Sequence, residues 1–82
     1  MTPTQAQKDA ANIIESFLNG TCGPYDWDDF TSLKSSDPIV EEIRKKCMTI
    51  PSQFPPKHHS EYCNTAGVQA LHQFASALRS NA

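Results

Sequence analysis

The stretch GPYDWDDF, residues 23–30, decides how this chain is expected to fold, because it interrupts a helical pattern and then concentrates three aromatic rings. Gly23 and Pro24 disfavour a continuing helix. Tyr25, Trp27 and Phe30 lie too close in sequence to share one helix face. At least two of these rings are expected to be buried and to hold the segment against the helices, because a short chain needs their area for its core.

The surrounding segment, residues 20–36, has neither a helical nor an alternating apolar pattern. Connections longer than about 12 residues are usually functional or disordered, and the large aromatic residues argue against disorder. We therefore predict a long, ordered loop that is both acidic and aromatic between the first two helices. A short helical turn at Trp27–Phe30 is the alternative for its centre.

Upstream of this loop, residues 3–19 have the pattern of an amphipathic helix. Thr2, Pro3 and Gln5 offer an N-cap, a first-turn proline and the glutamine of a capping box. Gly20 predicts the end of the helix, since glycine readily adopts the left-handed conformation that follows a helix. The apolar stripe predicted for the buried face is Ala6, Ala10, Ile13, Ile14, Phe17 and Leu18.

Two further helices are predicted downstream of the loop. Asp37 and Pro38 provide an N-cap and a first-turn proline for the second helix, which Pro51 is expected to end. Residues 51–59 then form a proline-rich, extended connector. The third helix is predicted from residue 60 or 64 to about residue 79, with an apolar stripe on one face.

The whole chain, residues 1–82, is predicted to be one all-α domain: a three-helix bundle, or a four-helix bundle if the extra turn forms. A net charge of −2 argues against a general affinity for nucleic acid or anionic membranes. No apolar run approaches the roughly 18 residues of a membrane span, and the N-terminus lacks the pattern of a secretory signal. A cytoplasmic location is therefore expected.

Cysteines and histidines provide the ligand types of a zinc site, but not its spacing. Cys47, His58, His59 and Cys63 form a C-x10-H-H-x3-C pattern, whereas compact zinc sites bring ligands in pairs two to four residues apart. The odd number of cysteines, which includes Cys22, favours free thiols that pack as small apolar residues. No cofactor is expected. A small metal-binding or redox-responsive protein that uses these four residues is the alternative function.

Catalytic motifs are not apparent. The chain contains no nucleophile elbow, phosphate loop or paired-histidine motif. Asp26, Asp28 and Asp29 resemble the opening of a calcium-binding loop, but Thr31 and Asp37 stand where that loop has glycine and glutamate. We therefore expect a protein that is not an enzyme.

The charges divide the chain into an acidic and a basic part. Between Asp26 and Glu42 lie six acids and one lysine, and from Arg44 to Lys57 there are four basic residues and no acid. Aromatic residues interleaved with acids are typical of a surface that binds a basic protein, provided that Tyr25 or Trp27 stays partly exposed as an anchor. The predicted partner-binding residues are Tyr25, Asp26, Trp27, Asp28, Asp29, Glu41 and Glu42. A self-associating structural domain is a further alternative.

Residues 17–44, FLNGTCGPYDWDDFTSLKSSDPIVEEIR, resemble a block in a group of small, mostly uncharacterised bacterial proteins. The block consists of a glycine-rich turn, an aromatic-D-W-D-D-F run and a D-P-x-x-E-x-I-R run, and it covers about a third of this chain. The resemblance implies a small, soluble bacterial protein and no established catalytic role. Immunity proteins that neutralise nuclease toxins are similar in size and surface, so the most specific expectation is an immunity or inhibitor protein for a basic toxin.

Overall fold

Four α-helices make up the regular structure of the residues that the structure describes. A computed structural model describes residues 2–23, 26–58 and 61–80, and these residues contain no strand. The helices are α1, Gln5–Asn19; α2, Asp26–Ser32; α3, Pro38–Gln53; and α4, Thr65–Ser80. The all-α prediction is confirmed. Within the described ranges, every helix is too short or too polar to cross a membrane.

The core lies where the four helices meet. α1 packs mainly against α4, and α2 lies against both α1 and α3. The buried apolar residues come from all four helices and from the α3–α4 connection: Ala10, Ala11, Ile14, Trp27, Val40, Ile43, Cys47, Ile50, Cys63, Leu71, Ala75 and Leu78. Burial of this set is the main favourable contribution to folding.

The segment predicted to be a loop is helical over Asp26–Ser32, so the alternative with a fourth helix is the correct one and its helix is longer than one turn. Asp26 and two further acids lie in the first turn, where the helix dipole favours negative charge. The Thr31 hydroxyl donates to the Trp27 carbonyl at 3.0 Å near the other end. Seven residues are too few for a helical period to be recognised in the sequence.

α1 begins later than predicted and ends where predicted. Its N-cap is Thr4 rather than Thr2: the Thr4 hydroxyl accepts from the Gln7 N–H at 3.1 Å, and the Gln7 side chain accepts from the Thr4 N–H at 2.9 Å. Gly20 follows the helix with φ 75°, as expected. Ala6, predicted as part of the buried stripe, is exposed.

The start of α3 is confirmed at Asp37. The Asp37 carboxylate accepts from the backbone N–H groups of Ile39 at 2.9 Å and Val40 at 3.2 Å. It also accepts from the Thr4 hydroxyl at 2.9 Å. The N-termini of α1 and α3 are therefore joined through their capping residues.

α3 continues past Pro51, where it was predicted to end. A proline has no N–H to donate to the carbonyl four residues earlier, which here belongs to Cys47. The Tyr62 hydroxyl donates to that carbonyl at 3.4 Å and replaces the missing helical bond. The helix ends at Gln53, so the extended connector predicted for residues 51–59 is wrong at its first three positions.

α4 begins at the later of the two predicted starts. The Asn64 side-chain oxygen accepts from the Gly67 N–H at 3.0 Å, which caps the helix. The earlier start, Ser60, lies outside the described residues. Near the other end of α4, Arg79 donates to both Glu15 carboxylate oxygens at 2.7 Å and so joins α4 to α1.

Candidate protein-binding site

The aromatic residues of α2 belong to the core. The Trp27 side chain is 8% exposed and stacks on Phe17, with ring centroids 4.1 Å apart and planes at 10°. Tyr62 approaches its indole edge-on at 5.8 Å, and Phe30 lies at 5.6 Å. The prediction that two rings anchor the segment is confirmed for Trp27 and Phe30. The hypothesis of an exposed Trp27 anchor is wrong, because three other rings enclose it; Tyr25 lies outside the described residues.

The acidic residues of α2 are exposed to solvent. Asp26, Asp28 and Asp29 are exposed. The Asp26 carboxylate accepts from the Gly23 N–H at 3.1 Å, just before the helix. Within the described part of the chain, the carboxylates of Asp28 and Asp29 make no hydrogen bond or ion pair. α2 thus packs its aromatic side chains into the core and exposes its carboxylates to solvent.

An open groove of about 430 Å³ lies between α1, α2 and the start of α3. Its apolar lining comes from all three helices and from the residue after α2: Ala6, Ala10, Ile13, Phe30, Leu33 and Val40. Leu33 is 66% exposed, more than any other large apolar residue described. Asp9, Asp26 and Asp29 also line the groove, which we call the acidic groove.

Asp9 and Leu33 are among the acidic-groove residues that were not predicted from the sequence to bind a partner. Asp9 lies on the exposed side of α1, and its carboxylate accepts from the Gln5 side chain at 2.8 Å. Leu33 follows the end of α2. The spacing of three between Ala6 and Asp9 places both on one helix face, and this was the only signal available. Asp28, in contrast, faces a separate depression formed with Phe17 and Tyr62.

The Glu41 carboxylate is hydrogen-bonded within the fold. Arg44 donates to its two carboxylate oxygens at 2.8 Å and 2.6 Å, and the Ser35 N–H donates at 2.9 Å. Arg44 also donates to the Thr31 carbonyl at 2.7 Å, which ties the end of α2 to α3. Glu41 therefore has partners within the fold, and its role as a partner-binding residue stays a prediction. Glu42 is exposed and lies 3.5 Å from the Lys46 ammonium, outside the acidic groove.

Acidification is expected to remove the stabilising contribution of Glu41. The hydrogen bonds from Arg44 and then from the Ser35 N–H lower the pKa of Glu41 from 4.5 to about 2. A carboxyl group whose pKa is lowered by folding contributes stability above its unfolded pKa and loses it as the pH falls through the folded pKa. The difference in melting temperature between wild type and Glu41→Gln should therefore shrink as the pH falls from about 5 to about 2.

The matched control is Glu42→Gln, whose carboxylate is exposed. Its difference from the wild type is expected to stay small across the same pH range, because exposed ion pairs contribute little to stability. A Glu41→Gln difference that is independent of pH would contradict the role assigned to this carboxylate.

The residues of the metal alternative do not form a site in the described ranges. Cys47 and Cys63 are buried, whereas His58 is exposed and lies 4.0 Å from the Glu61 carboxylate. Among the described side chains, no three of His, Cys, Asp or Glu could hold a metal ion together. His59 lies outside these ranges. Burial raises the pKa of the Cys47 thiol to about 12, which disfavours the thiolate that redox or metal chemistry requires.

Known proteins give no further information about this site. Comparisons of the chain with protein-family models, with curated proteins and with solved structures found no match. The resemblance of residues 17–44 to small bacterial proteins therefore stays a prediction, and function has to be argued from the geometry of the acidic groove and α2.

Proposed function

We propose that this protein is a non-enzymatic, cytoplasmic binding module that uses the acidic face of α2 to bind a basic protein. The observation that supports this most directly is that the aromatic and the acidic side chains of α2 have different surroundings. Trp27 and Phe30 serve the core, while the carboxylates of Asp28 and Asp29 are exposed and unpaired among the described residues. Charges that the fold does not use are well placed to steer and pair with a cationic partner.

The most specific form of this proposal is an immunity or inhibitor protein for a basic, nuclease-like toxin. The active-site cleft of a nuclease is positively charged because it binds phosphates, and an acidic helix beside a partly apolar groove complements such a cleft. Immunity proteins that neutralise nuclease toxins are similar to this protein in size and surface, a likeness by analogy.

The test is affinity capture from the native lysate with the wild type and with the double variant Asp28→Asn/Asp29→Asn, with bound proteins identified by mass spectrometry. The proposal expects a protein with a high isoelectric point that the wild type retains and the double variant loses. Raising the salt concentration should release this protein from the wild type, since exposed charge pairs are screened by ions. Far-UV circular dichroism would establish that both proteins remain folded.

The proposed surface is confined to α2 and leaves out Glu42, which lies on α3. The matched control is therefore Glu42→Gln/Glu61→Gln, which removes the same amount of negative charge from two exposed positions off α2. Capture should survive in this control. Equal loss in both double variants would reduce the effect to net charge and overturn the assignment to α2. Equal capture by the wild type and Asp28→Asn/Asp29→Asn would also overturn it.

A further inference from the structure

We infer that the acidic groove seats one amphipathic, basic α-helix of the protein partner, with apolar side chains on its floor and Lys or Arg side chains on its carboxylates. This inference rests on the proposed function and narrows it from a charged helix face to a groove with a defined floor. It also adds residues from α1 that the α2 surface alone does not include.

The floor of the acidic groove supplies the apolar contacts. The groove has a volume of about 430 Å³. Leu33 stands at this groove with 66% of its surface exposed, and Ile13 and Phe30 are only partly buried. An exposed leucine beside partly buried apolar residues is the arrangement expected where a partner completes the burial.

The rim selects the charge of the occupant. Asp9 from α1 stands with Asp26 and Asp29 from α2 along the same groove. Each of these carboxylates accepts at most one hydrogen bond from the described residues, so lone pairs remain available for ammonium or guanidinium groups. Among the described residues, two cations also line the groove, but Arg44 is already held by its bidentate pair with a glutamate, which leaves Lys34. The uncompensated charge is therefore negative.

The walls of the groove favour a helix as the occupant. Strand addition, one mode by which an extended peptide binds, needs a sheet edge, and the described residues contain no strand. Grooves between helices instead accept the apolar stripe of an amphipathic helix through side chains three and four residues apart. Basic residues on both sides of such a stripe would reach Asp9 on one wall and Asp29 on the other.

The experiment uses a fluorescein-labelled, 14-residue peptide of leucine and lysine in which leucine recurs every three or four residues. Its binding to the full chain is measured by fluorescence anisotropy. Removing one groove contact should weaken binding about tenfold, the effect of losing one well-placed interface side chain. We expect this for Asp29→Asn and for Leu33→Ala.

The chain offers a matched control for each variant. Glu61→Gln removes the same charge from an exposed position outside the groove, and Met48→Ala removes an exposed apolar side chain on α3. Both controls should stay within about twofold of the wild type, as expected for positions outside an interface core. A peptide of the same composition without an apolar face should bind at least about tenfold more weakly.

Three results would overturn the inference. Equal weakening by Asp28→Asn and Asp29→Asn, with no effect of Leu33→Ala, would mean that α2 binds cations without the groove, and the proposed function would survive. Absence of saturable peptide binding would exclude a helical, basic occupant even if the captured partner still depends on α2. A wild-type dimer in analytical ultracentrifugation that Leu33→Ala dissociates would assign the groove to a second copy of this chain.

Discussion

Trp27→Ala is expected to destabilise the protein by about 3–5 kcal/mol, the cost of truncating a large aromatic side chain in a core. The indole is 8% exposed and stacks on Phe17, while Tyr62 closes the cluster edge-on. Alanine would leave a cavity at the point where α2 contacts α1. A loss of this size is a large part of the total stability of a small domain. Urea denaturation followed by far-UV circular dichroism measures it.

Trp27→Phe keeps the experiment informative if the alanine variant does not fold. Phenylalanine preserves an aromatic ring next to Phe17, and it removes a buried indole N–H that makes no well-aligned hydrogen bond to the described residues. It should therefore cost well under half of the alanine effect. Leu33→Ala is the exposed control and should change stability by no more than about 0.5 kcal/mol. Wild-type stability of Trp27→Ala would place the indole outside the core.

Gly67→Ala is expected to lower stability by about 2 kcal/mol, although alanine is the better helix former by about 1 kcal/mol. A methyl group at this position would lie 2.8 Å from the Cys63 sulfur, 2.9 Å from the Cys63 Cβ and 2.9 Å from the Phe54 Cβ. Two of these atoms are fixed close to the backbone and cannot rotate away. α4 would have to move away from the α3–α4 connection. Such overpacking of a core is destabilising.

Gly20→Ala is the matched glycine variant, since it makes the same substitution but is destabilising for a different physical reason. Gly20 has φ 75° and no atom within 4 Å of the position of the added methyl group. Its expected cost is about 1–2 kcal/mol of backbone strain in the left-handed conformation. Replacing Cys63 with a residue that has a smaller side chain should recover part of the stability lost in Gly67→Ala and none of that lost in Gly20→Ala. A more stable Gly67→Ala variant would contradict the close packing at this position.

The helices at both ends of the chain and α3 were predictable, whereas α2 was not. Gly20, Asp37 and Asn64 act on the backbone within one turn of their own position, so the helix boundaries they determine can be recognised locally. α2 has too few residues for an apolar period. The end of α3 was misjudged at Pro51, because the carbonyl that this proline leaves free is satisfied by Tyr62 from a different part of the chain.

The candidate site was predictable in its charge but not in its composition. The sequence alone determined an all-α chain with its acids concentrated around α2, since composition and capping patterns are local properties. Only the tertiary structure decided that Trp27 is buried, that Arg44 holds the Thr31 carbonyl at the end of α2, and that Asp9 joins the acids of α2. The physical reason is that burial and charge pairing depend on which helix faces meet, and helices far apart in sequence determine those contacts.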